Sequence, residues 1–231
     1  MPFLGSQPAE AALTTGDLGD NIVDGTKTKD ALIGDYSDVT ITASDLIMFG
    51  DATDSNNTKR DTVQGILDLA GGFTIGTEVA TTSGTTADFT SIPAGTKQII
   101  INFAGVSWSA TNSSPTIVIG DAGGFETSGY VGAGGQTASA TSSSRTDSFA
   151  LADTNRVAAA DTLHGSVILT LEDASNYVWI CNGMVGIAGS SDSVMFATGS
   201  KALSAELTQV RVTTVGGDTY DAGAINVQYI S

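Results

Sequence analysis

Residues 166–171 read Ser-Val-Ile-Leu-Thr-Leu and residues 224–230 read Ala-Ile-Asn-Val-Gln-Tyr-Ile. Val167, Leu169 and Leu171 stand at every second position of the first stretch, and Ile225, Val227 and Tyr229 do the same in the second. Side chains of a strand point alternately to its two faces, so this spacing commits one face to a core and leaves the other to water or a partner. Working outward from these two stretches, further strand candidates recur at intervals of about ten residues, the cadence of a β-sandwich or jelly roll. They are 98–104, 116–119, 130–131, 148–151, 177–185, 193–197 and 207–215. The connections carry Gly and Asp where a turn needs positive φ or a side-chain acceptor, as in Ile-Pro-Ala-Gly-Thr at 92–96, Gly-Asp-Ala-Gly-Gly at 120–124 and Val-Gly-Gly-Asp-Thr at 215–219. Residues 76–231 are therefore expected to form one β domain. Within it, 132–147 (Gly-Ala-Gly-Gly-Gln-Thr-Ala-Ser-Ala-Thr-Ser-Ser-Ser-Arg-Thr-Asp) is read as a mobile, linker-like loop, because it has almost no large side chains.

The chain has 231 residues, of which 28 are Gly, and only 15% are charged, against about a quarter in a typical globular domain. That composition favours turns and strands over long helices. Lys and Arg number nine and Asp and Glu 25, giving a net charge of -16. Partners whose attraction depends on many cationic contacts to phosphate, namely nucleic acid and anionic membrane, are poor candidates. No stretch approaches 18 uncharged apolar residues, and no basic residue precedes Lys27, so neither a membrane span nor a secretory leader is expected.

Residues 1–40 have too few large apolar side chains to close a core and read as an extended segment that orders on a partner. The segment 41–75 is different. Leu46-Ile47-Met48-Phe49 is an apolar run short enough for a strand covered on both faces. The Asx-rich turn Asp51-Ala52-Thr53-Asp54-Ser55-Asn56-Asn57-Thr58 follows, and from Thr58 the spacing of Val63, Ile66, Leu67 and Ala70 predicts an amphipathic helix of roughly three turns, stopped by Gly71-Gly72. One strand and one short helix bury little, since helices of this length are marginal alone in water. Leu46, Met48, Val63, Ile66 and Leu67 therefore need neighbours, and identical chains are the simplest supply.

Residues able to carry chemistry are sparse. One Cys excludes an intrachain disulfide framework, and one His removes most metal sites and imidazole triads. His164 reads as a structural or surface imidazole, and Cys181, between Ile180 and Asn182, as a small buried hydrophobe. Glu172-Asp173 falls at a strand end, where solvation is the default. Asp51, Asp54, Asn56 and Asn57 supply oxygens suited to a hard cation, but their spacing misses the calcium-loop pattern and a plain Asx turn is favoured. Trp108, Tyr130, Tyr177 and Trp179 could stack on sugar rings if exposed; Trp179 reads as core, while Trp108, which falls just past a strand in a Ser- and Asn-rich loop, and Tyr130 are retained as possible ligand contacts. No catalytic residue, metal or cofactor is expected.

Three stretches resemble bacteriophage virion fibre proteins. The opening MPFLGSQPAE is similar to the short N-terminal segment with which many tail-fibre proteins begin, and this resemblance implies docking on the virion through Phe3, Leu4, Gly5 and Pro8. Residues 44–71, SDLIMFGDATDSNNTKRDTVQGILDLAG, resemble a recurrent fibre module of strand, acidic turn, Thr-Lys step and short helix. Residues 82–132, with the terminal LTQVRVTTVGGDTYDAGAINVQYIS, look like a C-terminal β domain of fibre proteins, including the run Tyr220-Asp221-Ala222-Gly223 before the last strand. The resemblance implies a homotrimer on the virion, assembled in the host cytoplasm, touching other virion proteins at its N-terminus and host surface glycan at its β domain. The chain departs from tail fibres in being short with almost no shaft, so a head fibre, small tail appendage or adaptor is in play. A capsid or tail decoration protein without a receptor role is the alternative.

Overall fold

The computed structural model describes residues 40–69, 72–139, 141–152, 157–190 and 192–231. They fall into two compact units divided between Gln64 and Gly65.

In the first unit, β1 (Leu46–Asp51) pairs antiparallel with β2 (Asn57–Thr62), running from Leu46 opposite Thr62 to Asp51 opposite Asn57. The connection is a 3-10 turn, Ala52–Asp54, followed by Ser55 and Asn56 at φ 53° and 60°. Asp51 closes it by accepting from the Thr53 amide at 2.9 Å and the Thr53 hydroxyl at 2.7 Å, and Asp54 accepts from Asn57 Nδ2 and pairs with Lys59 at 2.6 Å. The second strand replaces part of the expected helix: α1 is only Val63–Leu69. Backbone pairing explains the change, because β1 alone would present a row of unmet N–H and C=O groups, and Asn57–Thr62 satisfies one edge of it. Two of the amides a helix leaves open at its start are met locally, Val63 N–H by the Asp45 carbonyl and Gln64 N–H by the Ala43 carbonyl.

The second unit contains β3 (Phe73–Ile75), β4 (Val79–Ala80), β5 (Thr86–Phe89), β6 (Gln98–Trp108), β7 (Pro115–Asp121), β8 (Gly124–Phe125), β9 (Val131–Gln136), β10 (Ser142–Ser143), β11 (Phe149–Ala150), β12 (Thr162–Asp173), β13 (Val178–Ala188), β14 (Ser193–Ala202), β15 (Gln209–Thr214) and β16 (Tyr220–Ile230). All pairings are antiparallel. The large sheet has the order β10-β9-β14-β13-β12-β6-β16-β3, with β4 also on β16; the small sheet has the order β11-β7-β15-β5, with β8 on β7. Both contribute to one core, which joins Ile99, Ile101 and Phe103 of β6 and Val167 and Leu169 of β12 to Ile117 and Ile119 of β7 and Val210 and Val212 of β15. The alternation at 166–171 and 224–230 thus marks two strands of the large sheet, with Val167, Leu169, Ile225 and Val227 inside.

Two boundaries differ from expectation. Phe73–Ile75 pairs with β16 and so belongs to the β domain, whereas the sequence reading ends the preceding segment at 75. The Gly-rich stretch expected as a loop contains two strands: Val131–Gln136 pairs with β14, and Ser142–Ser143 pairs with it in turn. Its small residues serve close approach. A Cβ on Gly134 would lie 2.3 Å from the Ala150 carbonyl oxygen, and one on Gly135 would meet the Phe196 ring at 2.8 Å.

Candidate interaction surfaces

Alternation places Leu46 and Met48 on one face of the hairpin with Arg60 and Thr62, and Ile47 and Phe49 on the other with Lys59 and Asp61. Apolar character is divided by strand, not by face: β1 is apolar on both sides and β2 polar on both. The expectation that 46–49 is covered on both faces does not hold within one chain, where Leu46 is 55%, Ile47 41%, Met48 77% and Phe49 43% exposed. Of the other residues expected to need neighbours, Val63 is half-buried, while Ile66 and Leu67 are exposed. Phe3, Leu4, Gly5 and Pro8 lie outside the described residues.

Trp108 and Tyr130 are core residues, 0% and 2% exposed, which corrects the reading of both as ligand contacts. Trp108 ends the long strand β6 inside the unit and stacks at 5.1 Å on Tyr220, so the Ser- and Asn-rich loop that suggested exposure begins just beyond it. Tyr130 sits edge-on to Phe149 at 4.8 Å. Its hydroxyl accepts from the Ile119 amide at 2.9 Å and lies 3.0 Å from the Glu126 carbonyl, to which it donates. Burial, opposed by that amide, pushes the phenol far above its ordinary pKa. Trp179 is buried as expected, and so is Cys181, whose thiol burial pushes up to about 12. His164 is exposed, 3.3 Å from the Thr162 hydroxyl. Asp173 caps its turn through the Ser175 and Asn176 amides.

Beside Tyr130 lies a polar cluster that sequence could not suggest, since its members are some 75 residues apart. The Lys201 ammonium donates to Glu126 Oε2 and to the Ala202 carbonyl, with Lys201 5% and Glu126 22% exposed. Glu126 Oε1 accepts from the Ser204 amide at 2.7 Å, and Asp121 accepts from the Ser204 hydroxyl at 2.6 Å and the Gly123 amide at 2.7 Å. Burial works against the Glu126 charge, but the Lys201 and Ser204 contacts outweigh it and hold the carboxyl below its usual range. The Ser204 hydroxyl, then the Gly123 amide, does the same for Asp121. These bonds tie the β7–β9 connection to the end of β14; they are a fastening, with each polar group directed at another protein group.

Two of the concavities among the described residues lie beside strands of the large sheet. A cleft of about 290 Å³ is lined by Thr77, Val79, Asp88, Thr90, Ser91 and Tyr229 among others, and its one carboxylate, Asp88, holds Arg211 through both oxygens at 2.7 and 2.6 Å. A smaller, apolar one of about 180 Å³ lies against Leu171, Tyr177, Trp179 and Leu207. Opposed carboxylates for glycoside hydrolysis would stand about 5–9.5 Å apart across such a cleft, and neither lining supplies a pair. Among the described residues no three His, Cys, Asp or Glu side chains gather as metal ligands, and no helix is long and apolar enough to cross a membrane.

No protein-family model matches the chain, and comparison with curated proteins and with solved structures finds no significant match. The fibre resemblance rests on the three stretches quoted above.

Proposed function

We propose that the chain is a non-enzymatic bacteriophage structural protein: a homotrimeric fibre or appendage fixed to the virion by its N-terminal segment, with a jelly-roll-like C-terminal domain turned to the host surface. The observation that carries this reading is the hairpin. A two-stranded ribbon is marginal in water by itself, and this one exposes four consecutive large apolar residues on both faces of β1. Sister chains that place β1 toward a common axis and β2 outward cover those residues and leave Lys59, Arg60 and Asp61 in solvent. Covering the exposed half of such a side chain contributes about 1 kcal/mol, so four per chain supply a sizeable part of an assembly free energy.

Three weak contacts on one trimer raise apparent affinity by about a hundred- to ten-thousand-fold when their spacing lets them engage together. Weak glycan contacts then suffice, through hydroxyls and aromatic edges and without phosphate. The burial of Trp108 and Tyr130 is the specific observation favouring the second reading, a capsid or tail decoration or adaptor protein with no receptor. Native mass of the purified full chain, labelling of whole virions with an antibody to residues 76–231, and adsorption of the labelled protein to host cells test both. A trimer on the particle that adsorbs to cells is expected. A trimer on the particle that does not adsorb selects the decoration reading, and a single-copy species at micromolar concentration refutes both.

A further inference from the structure

The outward face of the large sheet differs from every other surface described above. Between the strand ends, its outward positions on β9, β14, β13, β12, β6 and β16 contain no Asp, Glu, Lys or Arg, in a chain of net charge -16. Cross-strand register runs Phe196 beside Met184, Met184 beside Ser166, and Ser166 beside Asn102; the adjoining row runs Thr198, Asn182, Ile168, Ile100 and Gln228. Val131 is 68%, Met184 67% and Phe196 44% exposed, with Ile180 and Val194 exposed beside them. The outer side of the small sheet, by contrast, carries the Asp88–Arg211 ion pair. Alternation that keeps Met, Phe, Ile and Val on the wet face of a sheet is what a second covered face looks like.

We propose that this uncharged face is where copies of the chain meet in the β domain. The inference rests on the homotrimer reading and adds to it the surface that joins the heads. Two observations select a sister copy as the occupant. Six strands at about 4.8 Å spacing and seven residues at about 3.3 Å rise give a footprint of about 650 Å², close to the roughly 800 Å² per partner of a stable interface. Charge points the same way: copies of net charge -16 repel wherever their acidic surfaces approach within a Debye length of about 8 Å, and this face lets them meet without apposing carboxylates. Outward amides such as Asn102 and Asn182 supply the polar contacts that interfaces carry at about one hydrogen bond per 100–200 Å².

The test uses the full chain with Met184→Cys, and Val215→Cys as the exposed control outside the large sheet. The native thiol of Cys181 is buried and protonated, so it is silent to a maleimide. If the face is covered by a sister copy, the thiol introduced by Met184→Cys labels slower than the control by about tenfold or more, equivalent to about 1.4 kcal/mol of opening, and Met184→Glu with Phe196→Glu abolishes the protection of a thiol at Thr198→Cys. An assembled protein whose Met184→Cys thiol labels as fast as the control overturns this proposal and leaves the trimer standing. A monomer by native mass refutes the trimer reading itself, and a monomer that still protects the thiol shows the face covered by its own chain, which also overturns the proposal.

Discussion

Removing Glu126 should destabilise the protein far more than removing its partner Lys201. The two ends of the pair are unequally placed, with Lys201 5% and Glu126 22% exposed. In Glu126→Ala the ammonium keeps the Ala202 carbonyl and the face of the Tyr130 ring, 5.7 Å from its centroid, and stays where water barely reaches, while the Ser204 amide loses its acceptor. Stranding one member of a fully buried pair costs about 3–5 kcal/mol, and the partial exposure of the vacated site brings the expectation to about 3 kcal/mol with the lost Ser204 bond included. In Lys201→Met the apolar stem is replaced in kind, and Glu126 retains the Ser204 amide and turns its free oxygen to water, so the expected loss is about 1 kcal/mol. For a unit of this size these losses correspond to falls in melting temperature of about 6–12 °C and about 2–4 °C. The double variant should be no worse than Glu126→Ala alone, because it leaves no buried charge without a partner, giving a favourable coupling of about 1 kcal/mol or more. Urea and thermal unfolding at one fixed protomer concentration measure all three, since the proposed assembly would make stability depend on concentration. Equal losses, a larger loss for Lys201→Met, or strict additivity would refute the argument that burial asymmetry decides the outcome.

Three further outcomes follow from the same geometry. Gly134→Ala places a methyl 2.3 Å from the Ala150 carbonyl and should cost about 1–3 kcal/mol by unfolding midpoint, whereas Gly72→Ala, with nothing within 4 Å, should change stability by under about 0.5 kcal/mol. The carboxyls of Asp121, Glu126 and Asp147 are held below their ordinary values, Asp147 chiefly by Arg145, so the unfolded chain takes up protons first as pH falls. Stability should be level from pH 7 to about 5.5 and drop steeply below about 4.5, and a midpoint that rises on acidification would contradict the assignment. Met48→Glu, at an exposed position of a single chain, should leave the circular dichroism of the β domain unchanged and lower the native mass of the assembly; unaltered mass would remove the hairpin from the interface.

Much of the β domain was legible because it is built on alternation. Val167, Leu169, Ile225 and Val227 declare a buried face by period alone, and the strands at 98–104, 177–185 and 207–215 were found from their recurrence at about ten-residue intervals, each close to its observed span. Asn57–Thr62 was not legible: Asn-Thr-Lys-Arg-Asp-Thr has no apolar face, and its pairing follows from what β1 lacks, a property of the partner strand. Gly132–Gly135 was misread because small residues signal flexibility in isolation but close approach in a sheet, and only the distance to Ala150 and Phe196 distinguishes them. Trp108 and Tyr130 show the opposite failure. Polar neighbours in sequence suggested exposure of Trp108, while the register of β6 puts that ring inside and the amide offered by Ile119 holds the Tyr130 hydroxyl within the core. The Glu126–Lys201 fastening left no local trace, because contact across 75 residues is set by topology.

Charge and apolar surface together predict how assembly responds to salt. The proposed trimer would concentrate three chains of net charge -16 each, and its contacts as proposed, the hairpin residues Leu46 to Phe49 and the uncharged sheet face, contain no ion pair between copies. Salt therefore has repulsion to screen and no attraction to weaken. Shortening the Debye length from about 30 Å at 0.01 M to about 8 Å at 0.15 M should strengthen association, and a strongly hydrated salt such as sulfate should do so further by favouring apolar burial. An assembly joined by bridges between Lys or Arg and carboxylates would behave in the opposite way, loosening as salt rises. Sedimentation at fixed protomer concentration across that range separates the two cases, and dissociation on adding salt would mean that the copies are held by charges and that neither apolar surface is the joint.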